Sequence, residues 1–197
     1  MRRKSFEKMA CPIARGLERV GEWWSMLIMR DALHGMTRFD EFEKSLGIAP
    51  NMLTRRLNAL VEAGLLERRR YSEHPPRDEY VPTARGHDFR PVLISLMAWG
   101  NKHFAPEGPS VILVNRKTGR AVVPIVTDPA TGRPVDEPDY TLAAGPAAGP
   151  RTRQRYGPIG AAPSSVRERA TANLELAGKN AARTRTKKRA WQSSTDR

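Results

Sequence analysis

The sequence predicts a mainly α-helical fold with a small β component, and three observations support this prediction. Apolar residues recur at helical spacing through most of the first 105 residues. Two of these helical segments, 37–46 and 49–63, are separated by only a few residues around Gly47. A basic, strand-like run follows them and is broken by the pair Pro75-Pro76. The length of 197 residues suits one or two domains.

The first two predicted helices follow a loose basic arm at residues 1–9. Residues 12–21 have apolar side chains at positions i, i+4 and i+7 and end in a glycine, which predicts an amphipathic helix. Residues 23–33 are apolar on all sides, which predicts a helix that is buried all round. We therefore expect Trp23 and Trp24 to be packing residues.

The next two helices form the most informative part of the chain. Residues 37–46 begin with Thr37, which can cap a helix, and stop at Gly47. Residues 49–63 place Pro50 in the first turn, where its missing N–H has no cost. The second helix has an apolar face made by Leu53, Leu57 and Leu60. Helices joined this closely must cross steeply, which is typical of a helix-turn-helix whose second helix can enter the major groove of DNA.

A short β-ribbon is predicted after this pair of helices. Residues 65–71 and 78–82 are strand-like, and the prolines between them lie at the tip, where no ladder hydrogen bond is needed. A ribbon in this place, over about residues 66–82, is a wing. Its arginines would lie beside the DNA backbone that flanks the groove: Arg68, Arg69, Arg70 and Arg77. The alternative is that they only form a solvated surface, as charge runs usually do.

The polar residues Asn51, Thr54, Arg55 and Asn58 point away from the apolar face of the second helix, and the candidate base contacts are among them. Asn51 and Arg55 can make paired hydrogen bonds to adenine and guanine, and Thr54 can touch a thymine methyl group or a phosphate. Arg56 is expected to bind a phosphate, and Arg38, at the start of the preceding helix, can also reach the backbone. For Asn51 the alternative is simple capping of the helix.

A terminal helix is predicted over residues 84–104, with Thr83 as its cap. It has two apolar stripes, which is more apolar surface than a small monomer needs. One stripe should therefore meet the body of the domain and the other a second subunit. Pro91 should bend this helix unless the helix starts close to it. With this helix, the winged helix domain would span residues 10–105.

The character of the chain changes after residue 105. Residues 106–142 contain two strand-like runs and two turns, which predict a small β appendage that is too small to hold its own core. It must pack on the main domain or on a partner subunit. Residues 143–197 begin rich in Ala, Gly and Pro and end strongly basic, which predicts a linker and a disordered tail.

Charge and composition limit the functions to consider. The formal net charge is +13, with 18 Lys+Arg against 13 Asp+Glu in residues 1–105 and 16 against 8 in residues 106–197, so a polyanionic partner is expected. Cys11 is the only cysteine, the four histidines are scattered, and no catalytic pattern is present. We therefore expect no enzyme activity, no cofactor and no metal. No apolar run reaches the ~18 residues of a membrane span, which favours a cytoplasmic, nucleoid-associated protein.

Several segments occur in an order that resembles the HxlR-type transcriptional regulators, which are related to the MarR group. The segments are Cys11-Pro-Ile-Ala14, 21–30, Arg38-Phe-Asp-Glu-Phe42, Leu53-Thr-Arg-Arg-Leu57, 62–66, 75–80, Thr83 and Ala98-Trp-Gly100. The resemblance covers roughly residues 10–105. It implies a bacterial winged helix-turn-helix protein that binds double-stranded DNA as a homodimer and dimerises through its N- and C-terminal helices.

The same resemblance implies a possible effector. Members of this family often respond to aldehydes, quinones or oxidants, some through a cysteine near the N-terminus, and Cys11 has that position. The alternative is that Cys11 is a small buried hydrophobic residue. Some longer relatives have cysteines in the appendage that resemble a zinc ribbon. Here the corresponding turns, 116–119 and 129–132, contain no cysteine, so the sequence predicts no metal there.

Three hypotheses for function remain open at this point. The first is a sequence-specific transcriptional regulator that acts as a homodimer, with residues 49–63 in the major groove. The second is a non-specific nucleic-acid-binding or architectural protein that depends on the basic tail. The third is a winged helix whose basic face binds an acidic protein. Binding to specific and random DNA, with and without the tail, separates them.

Overall fold

A computed structural model describes residues 5–6, 9, 11–136 and 139–157, and the chain divides into two compact units after Val135. The elements are α1 (Pro12–Val20), α2 (Trp23–Leu33), α3 (Phe39–Leu46), α4 (Pro50–Glu62), β1 (Leu66–Glu73), β2 (Pro76–Pro82), α5 (Ala84–Asp88), α6 (Arg90–Phe104), β3 (Leu113–Val114), β4 (Ala121–Val122) and α7 (Pro150–Tyr156). The described part is mainly helical with two small antiparallel hairpins, so the predicted fold class is confirmed.

The core lies where α2, α3 and α4 meet the start of β1. Its fully buried side chains are Ile28, Met29, Phe42, Leu53, Leu57, Leu60 and Leu66. The three leucines of α4 have no exposed surface, which confirms the apolar face predicted for this helix. Burying an aliphatic side chain of this size stabilises the fold by roughly 1.5–3 kcal/mol. Hydrophobic packing therefore fixes which face of α4 is turned outward.

The turn between α3 and α4 has the predicted signals. Gly47 follows α3 with φ 60°, a left-handed conformation that strongly favours glycine, and its N–H donates to the Glu43 carbonyl at 2.9 Å. Ile48 is buried between the helices, and Pro50 is the first residue of α4. Only three residues thus separate the two helices, and the helix-turn-helix prediction is confirmed.

The cap of α3 differs from the prediction. Arg38, not Thr37, is the N-cap residue, and Phe39 is the first helical residue. The two backbone N–H groups before the helix donate to Glu41 Oε2, at 2.9 Å from Thr37 and 2.9 Å from Arg38. These hydrogen bonds favour the carboxylate and hold the pKa of Glu41 below its ordinary value, with the Arg38 N–H the largest cause. The side chain of Glu41, which lies inside the helix, therefore takes the place of the cap predicted at Thr37.

The wing spans residues 66–82 as predicted, but its two strands reach closer to the tip than the sequence indicated. β1 and β2 pair from Leu66↔Pro82 to Glu73↔Pro76, with an irregularity after Arg70. The strands can extend past their predicted ends because the prolines lie at the edge of the ribbon or at the first position of a strand, where a missing N–H is tolerated. The segment before α3 joins the ribbon, since the Tyr80 N–H donates to the Thr37 carbonyl at 2.7 Å. This bond fixes the wing to the helix-turn-helix.

The predicted long helix at 84–104 is two helices. Phe89 ends α5 and also caps α6, and Pro91 lies in the first turn of α6, where it needs no hydrogen-bond partner. Thr83 is the cap of α5, as expected, since its Oγ1 accepts from the Gly86 N–H at 3.2 Å. Gly86 is required for packing, because a Cβ there would lie 2.2 Å from the Leu65 carbonyl oxygen.

The N-terminal region exposes more apolar surface than predicted. Trp23 is 77% exposed, so α2 is not buried on every side and the packing assignment for this residue within the chain was wrong. Trp24 does pack against the core. On α1, Ile13 is 71% and Leu17 is 40% exposed. Most of the predicted arm at 1–9 lies outside the described residues.

Beyond α6 the predictions are met only in part. β3 and β4 form the predicted hairpin, but each strand has two residues. The predicted linker contains helix α7, which starts with a proline at its first turn and ends before Gly157. The prediction of an irregular chain was therefore wrong for residues 150–156. The tail predicted to be disordered lies outside the described residues from position 158 onward.

Candidate nucleic-acid interface

The outer face of α4 presents three polar side chains to solvent. Asn51, Thr54 and Arg55 are exposed, whereas the three leucines of the same helix are completely buried. The Thr54 Oγ1 donates to the Pro50 carbonyl at 2.9 Å, so its hydroxyl proton is used within the helix. The exposed set includes three of the four residues predicted on this helix, and they lie on its early turns, where a groove-reading helix contacts bases.

Asn51 does not cap α4. The cap position belongs to Ala49, and no hydrogen bond joins the Asn51 side chain to any described residue. The alternative role considered for this residue was therefore wrong. Its amide is available to a partner outside the chain, and an amide can donate and accept at the same time.

Two adjacent arginines on α4 have opposite environments. The Arg55 side chain is exposed, and among the described residues it has no hydrogen-bond or ion-pair partner. The Arg56 side chain is 19% exposed and its Nη2 lies 3.1 Å from Glu22 Oε2, at the start of α2. Arg56 Nε is buried without a partner in the described chain. Arg56 thus joins α4 to α2, and the structure does not place it as the free phosphate ligand expected from the sequence.

Arg38 lies at the junction of the helix-turn-helix and the wing. Its guanidinium carbon is 4.9 Å from the centre of the Tyr71 ring, which is a cation–π distance. Its backbone forms an antiparallel bridge with Glu79 of β2. Both contacts leave Arg38 exposed. The side chain is held beside the ribbon while its charge faces solvent.

Three of the four predicted wing arginines have partners within the chain. Arg70 Nε is 2.6 Å from Asp78 Oδ1, and this hydrogen bond raises the pKa of Arg70. Arg69 pairs with Glu67, its neighbour but one along the strand. The wing arginines are all exposed, so water competes with the ion pairs and each contributes little to stability.

Arg68 and Arg77 complete the wing. Arg68 Nη2 donates to Asn58 Oδ1 on α4, and its guanidinium carbon lies 5.5 Å from the centre of the Tyr80 ring. Arg77, at the start of β2, is exposed and has no hydrogen-bond or ion-pair partner in the described ranges. The wing therefore has one unpaired arginine near its tip and one that fastens its base to α4.

Comparison with known proteins decides the family. A family model described as HxlR-like helix-turn-helix matches residues 19–108. An HTH-type transcriptional regulator of Mycobacterium tuberculosis is 37% identical over 135 residues, which is 68% of this chain and 85% of the relative. The chain belongs to the HxlR-like helix-turn-helix family. A relative from Mycobacterium bovis, also an HTH-type transcriptional regulator, matches to the same extent.

Two solved HxlR-like relatives extend the comparison to structure. A chain from Pseudomonas aeruginosa, described as a candidate transcription factor, is 64% identical with a TM-score of 0.56, and the match covers 74% of this chain and 99% of the other. PA1607, also described as a candidate transcription factor, is 39% identical with a TM-score of 0.64, at 72% and 100% coverage. Such coverage cannot be reached within the first 108 residues, so the similarity continues past the domain.

Sequence reasoning placed Asn58 on the outer side of α4 but did not identify the residues that hold three of the arginines. Asn58, Tyr71 and Glu22 hold Arg68, Arg38 and Arg56, respectively. For Asn58, its position one turn after Thr54 on the same helix was an available signal. Nothing in the sequence connects Glu22 with α4, because the two meet only through the packing of α2 on α4.

Cys11 is half-buried and is the N-cap residue of α1. Arg15, which the sequence placed one turn away, directs its Nε to the Met9 carbonyl at 3.0 Å. Its guanidinium is therefore used by the segment before the helix. Within the described ranges, no group of three or more His, Cys, Asp or Glu residues could hold a metal ion, and no helix is long and apolar enough to cross a membrane.

Proposed function

We propose that this HxlR-like chain is a cytoplasmic transcriptional regulator that binds specific double-stranded DNA as a homodimer. Helix α4 would lie in the major groove, and the wing at 66–82 would follow the flanking backbone. The observation that supports this most is a pair of side chains, Asn51 and Arg55, that have no partner in the described part of the chain and lie on the outer face of a helix whose inner face is fully buried. Such side chains are the ones that read base edges.

The chemistry of α4 fits base reading. An arginine can donate two hydrogen bonds to guanine, and an asparagine can pair with adenine. The Thr54 methyl group can contact a thymine, because its hydroxyl is already bonded to the helix backbone. Arg56 takes no part in this proposal as a DNA ligand, since its charge is used by Glu22. It would instead hold α4 at its angle to α2.

The wing would supply phosphate contacts of two kinds. Arg77 is ready to bind a phosphate, because it has no partner to give up among the residues that the structure describes. Arg69 and Arg70 would exchange their carboxylate partners for phosphates, and such exchanges at an exposed surface have a small free-energy cost. Arg38 and Arg68 are held in place by aromatic rings and would contact the backbone where the wing meets α4.

A homodimer is supported by apolar surface that the chain itself leaves uncovered. Helix α6 has no buried residue, although it comes directly after the core elements along the chain. The exposed apolar side chains of the terminal helices are Ile13, Leu17, Trp23, Val92, Leu96, Trp99 and Phe104. Large apolar patches on soluble proteins usually mark an interface, and a two-fold dimer buries the same patch on both subunits. Two α4 helices would then read half-sites about one helical turn apart.

Selection of bound genomic fragments with the purified full-length chain tests this proposal. We expect one enriched pseudo-palindrome whose half-sites lie roughly 10 bp apart, centre to centre. Arg55→Ala should then lose about 1–3 kcal/mol of binding free energy on that sequence and much less on random DNA. Arg85→Ala is a matched control, because Arg85 is an exposed arginine that bonds to the Ala63 carbonyl outside this face.

Two outcomes would contradict the proposal. Equal losses on specific and random DNA for Arg55→Ala would remove α4 from the groove. Loss of all binding on truncation after Gly157 would favour the second function, a non-specific binder. That alternative has one observation in its favour, the 12 Lys+Arg against 3 Asp+Glu in residues 151–197.

We further propose that an electrophile or another small effector controls binding through Cys11. The half-buried position at the start of α1 supports this, because part of the side chain stays accessible to a small molecule. Treatment of the full-length chain with a quinone should lower its DNA affinity, and Cys11→Ser should abolish the response. A response that persists in Cys11→Ser would exclude the thiol as the sensor.

A further inference from the structure

The β appendage, defined here as residues 106–135, has no core of its own. Each of its strands has two residues, and an isolated two-stranded hairpin is at best marginally stable in water. None of its residues is buried. Seven of its aliphatic side chains are between 43% and 83% exposed: Val111, Ile112, Val114, Val122, Val123, Ile125 and Val126. An element with this much uncovered apolar surface needs a second surface to pack against.

The turns of the appendage, by contrast, are held by their own polar groups. Asn115 Oδ1 accepts from the Lys117 N–H at 2.9 Å, and Asp128 Oδ1 accepts from the Ala130 N–H at 2.9 Å. Both turns have the same pattern, an Asn or Asp followed three residues later by Thr-Gly-Arg. The tips therefore need no partner, whereas the aliphatic residues between them do. The uncovered apolar surface therefore belongs to an element with defined turns and not to an irregular linker.

The appendage is attached to the apolar end of α6. The Asn101 Nδ2 on the last turn of α6 donates to the Val111 carbonyl at 2.9 Å, which holds the first strand-like run next to the helix. On the same stretch of α6, the Trp99 and Phe104 rings are 54% and 68% exposed and pack edge to face, with centres 4.9 Å apart. The apolar surface of the appendage thus begins where the proposed dimer surface of α6 ends.

We infer that the apolar side of the appendage docks on the second copy of this chain and extends the dimer interface. The inference rests on the proposed homodimer. A second copy is the partner that fits, because it brings the same uncovered faces of α1 and α6 to a two-fold contact. Each subunit would then place its appendage against the other, so that every docking contact occurs twice.

The chain's own tail is a poorer occupant. Residues 158–197 are strongly basic and contain few large apolar side chains, so they cannot cover an aliphatic surface. The solved relatives are similar to this chain beyond residue 108, so the appendage belongs with the winged helix domain. The apolar side of the appendage is therefore best covered by another copy of the winged helix domain.

Sedimentation velocity of the full-length chain over a range of concentrations tests this docking. Val123→Glu and Ile125→Glu place a charge on the proposed contact at residues 83% and 66% exposed in the single chain, so neither variant disturbs a core. We expect each to raise the dimer Kd at least about tenfold, because losing a buried aliphatic contact is worth roughly one decade in an equilibrium constant. Ala130→Glu adds the same charge at an exposed turn and should leave the Kd unchanged.

Trp99→Glu separates this inference from the dimer proposal. A dimer that weakens in Trp99→Glu but keeps its Kd in Val123→Glu would overturn the appendage docking and leave the homodimer standing. A full-length chain that is monomeric at every concentration would overturn both. If Val123→Glu lowers the free energy of unfolding without changing the dimer Kd, the appendage packs on its own subunit, and the docking is again overturned.

Discussion

Helix α4 and the wing both carry arginines, but they hold them in different ways. On α4, packing sets the positions: Leu57 is fully buried, Arg56 is turned toward Glu22, and Arg55 points outward with no partner among the described residues. On the wing, ion pairs set the positions, since Arg70 pairs with Asp78 while its own side chain remains in solvent. The positions of the arginines are therefore fixed by core packing on α4 and by weak surface contacts on the wing.

The difference shows that a cationic side chain in the right element is not yet a DNA ligand. An arginine that is itself mostly buried is held firmly by its ion pair, because breaking the pair leaves a poorly solvated charge. An exposed arginine is held loosely, and its carboxylate partner can be replaced by a phosphate. We therefore expect the effects of substitution to be large and structural in α4 and small and electrostatic in the wing.

The largest expected effect comes from the inner face of α4. Leu57→Ala should lower the free energy of unfolding by about 2–5 kcal/mol, because it removes a fully buried side chain and leaves a cavity. Tyr71→Ala in the wing, at a residue 38% exposed, should cost less than about 1 kcal/mol. Urea unfolding measures both. Similar losses in the two variants would mean that the wing is as much part of the core as α4.

The sequence was sufficient to predict the features that depend on local signals. Gly47 and Pro50 marked the turn and the start of α4, and the leucine spacing identified its buried face, because helix ends and helix faces are set within a few residues. Arg56 could not be assigned in this way. Its partner, Glu22, is distant in sequence and is brought close only by the packing of α2 against α4. Long-range packing has no periodic signal.

Surface exposure of the terminal helices was predicted only in part. The two apolar stripes of residues 84–104 indicated a surface for a second subunit, but the break at Phe89 depended on where Pro91 could be tolerated. Trp23 was assigned to packing because an apolar helix gives no local sign of which face meets solvent. The contacts between side chains on the wing also escaped prediction, because they depend on strand register.

The second effect separates the two adjacent arginines of α4. Arg56→Ala should lower the free energy of unfolding by about 1–3 kcal/mol, because it removes a mostly buried side chain and its ion pair between α4 and α2. Arg55→Ala should change stability by no more than about 0.5 kcal/mol, since Arg55 is exposed and unpaired in the described chain. Unfolding curves and binding to the selected DNA should be measured on both variants. Equal destabilisation would remove the distinction between them.

A smaller effect distinguishes the arginines of the wing. Arg77→Ala should weaken binding to all DNA sequences and reduce the slope of log K against log salt by about 1, because one phosphate contact is lost. Arg70→Ala should do the same only if its guanidinium leaves Asp78 on binding. The variant Asp78→Asn is the control, because it frees Arg70 without removing its charge. An unchanged salt slope in Arg77→Ala would remove this residue from the interface.

The smallest expected effect concerns Glu41, which joins the wing side of the molecule to α3. Its carboxylate accepts the N–H groups of Arg38 and Thr37, and its pKa is lowered in the folded chain from an ordinary value of 4.5. The carboxylate therefore stabilises the fold above that ordinary value, and the contribution is lost as the pH falls through the folded pKa. Glu41→Gln should cost less than about 1 kcal/mol at pH 7, and the difference from the unsubstituted chain should shrink as the pH falls below about 4.5. Asp40→Asn removes a charge from the same helix turn without these backbone bonds, so urea unfolding of both variants at several pH values isolates them. Identical pH profiles for the two variants would show that only the charge at the helix start matters.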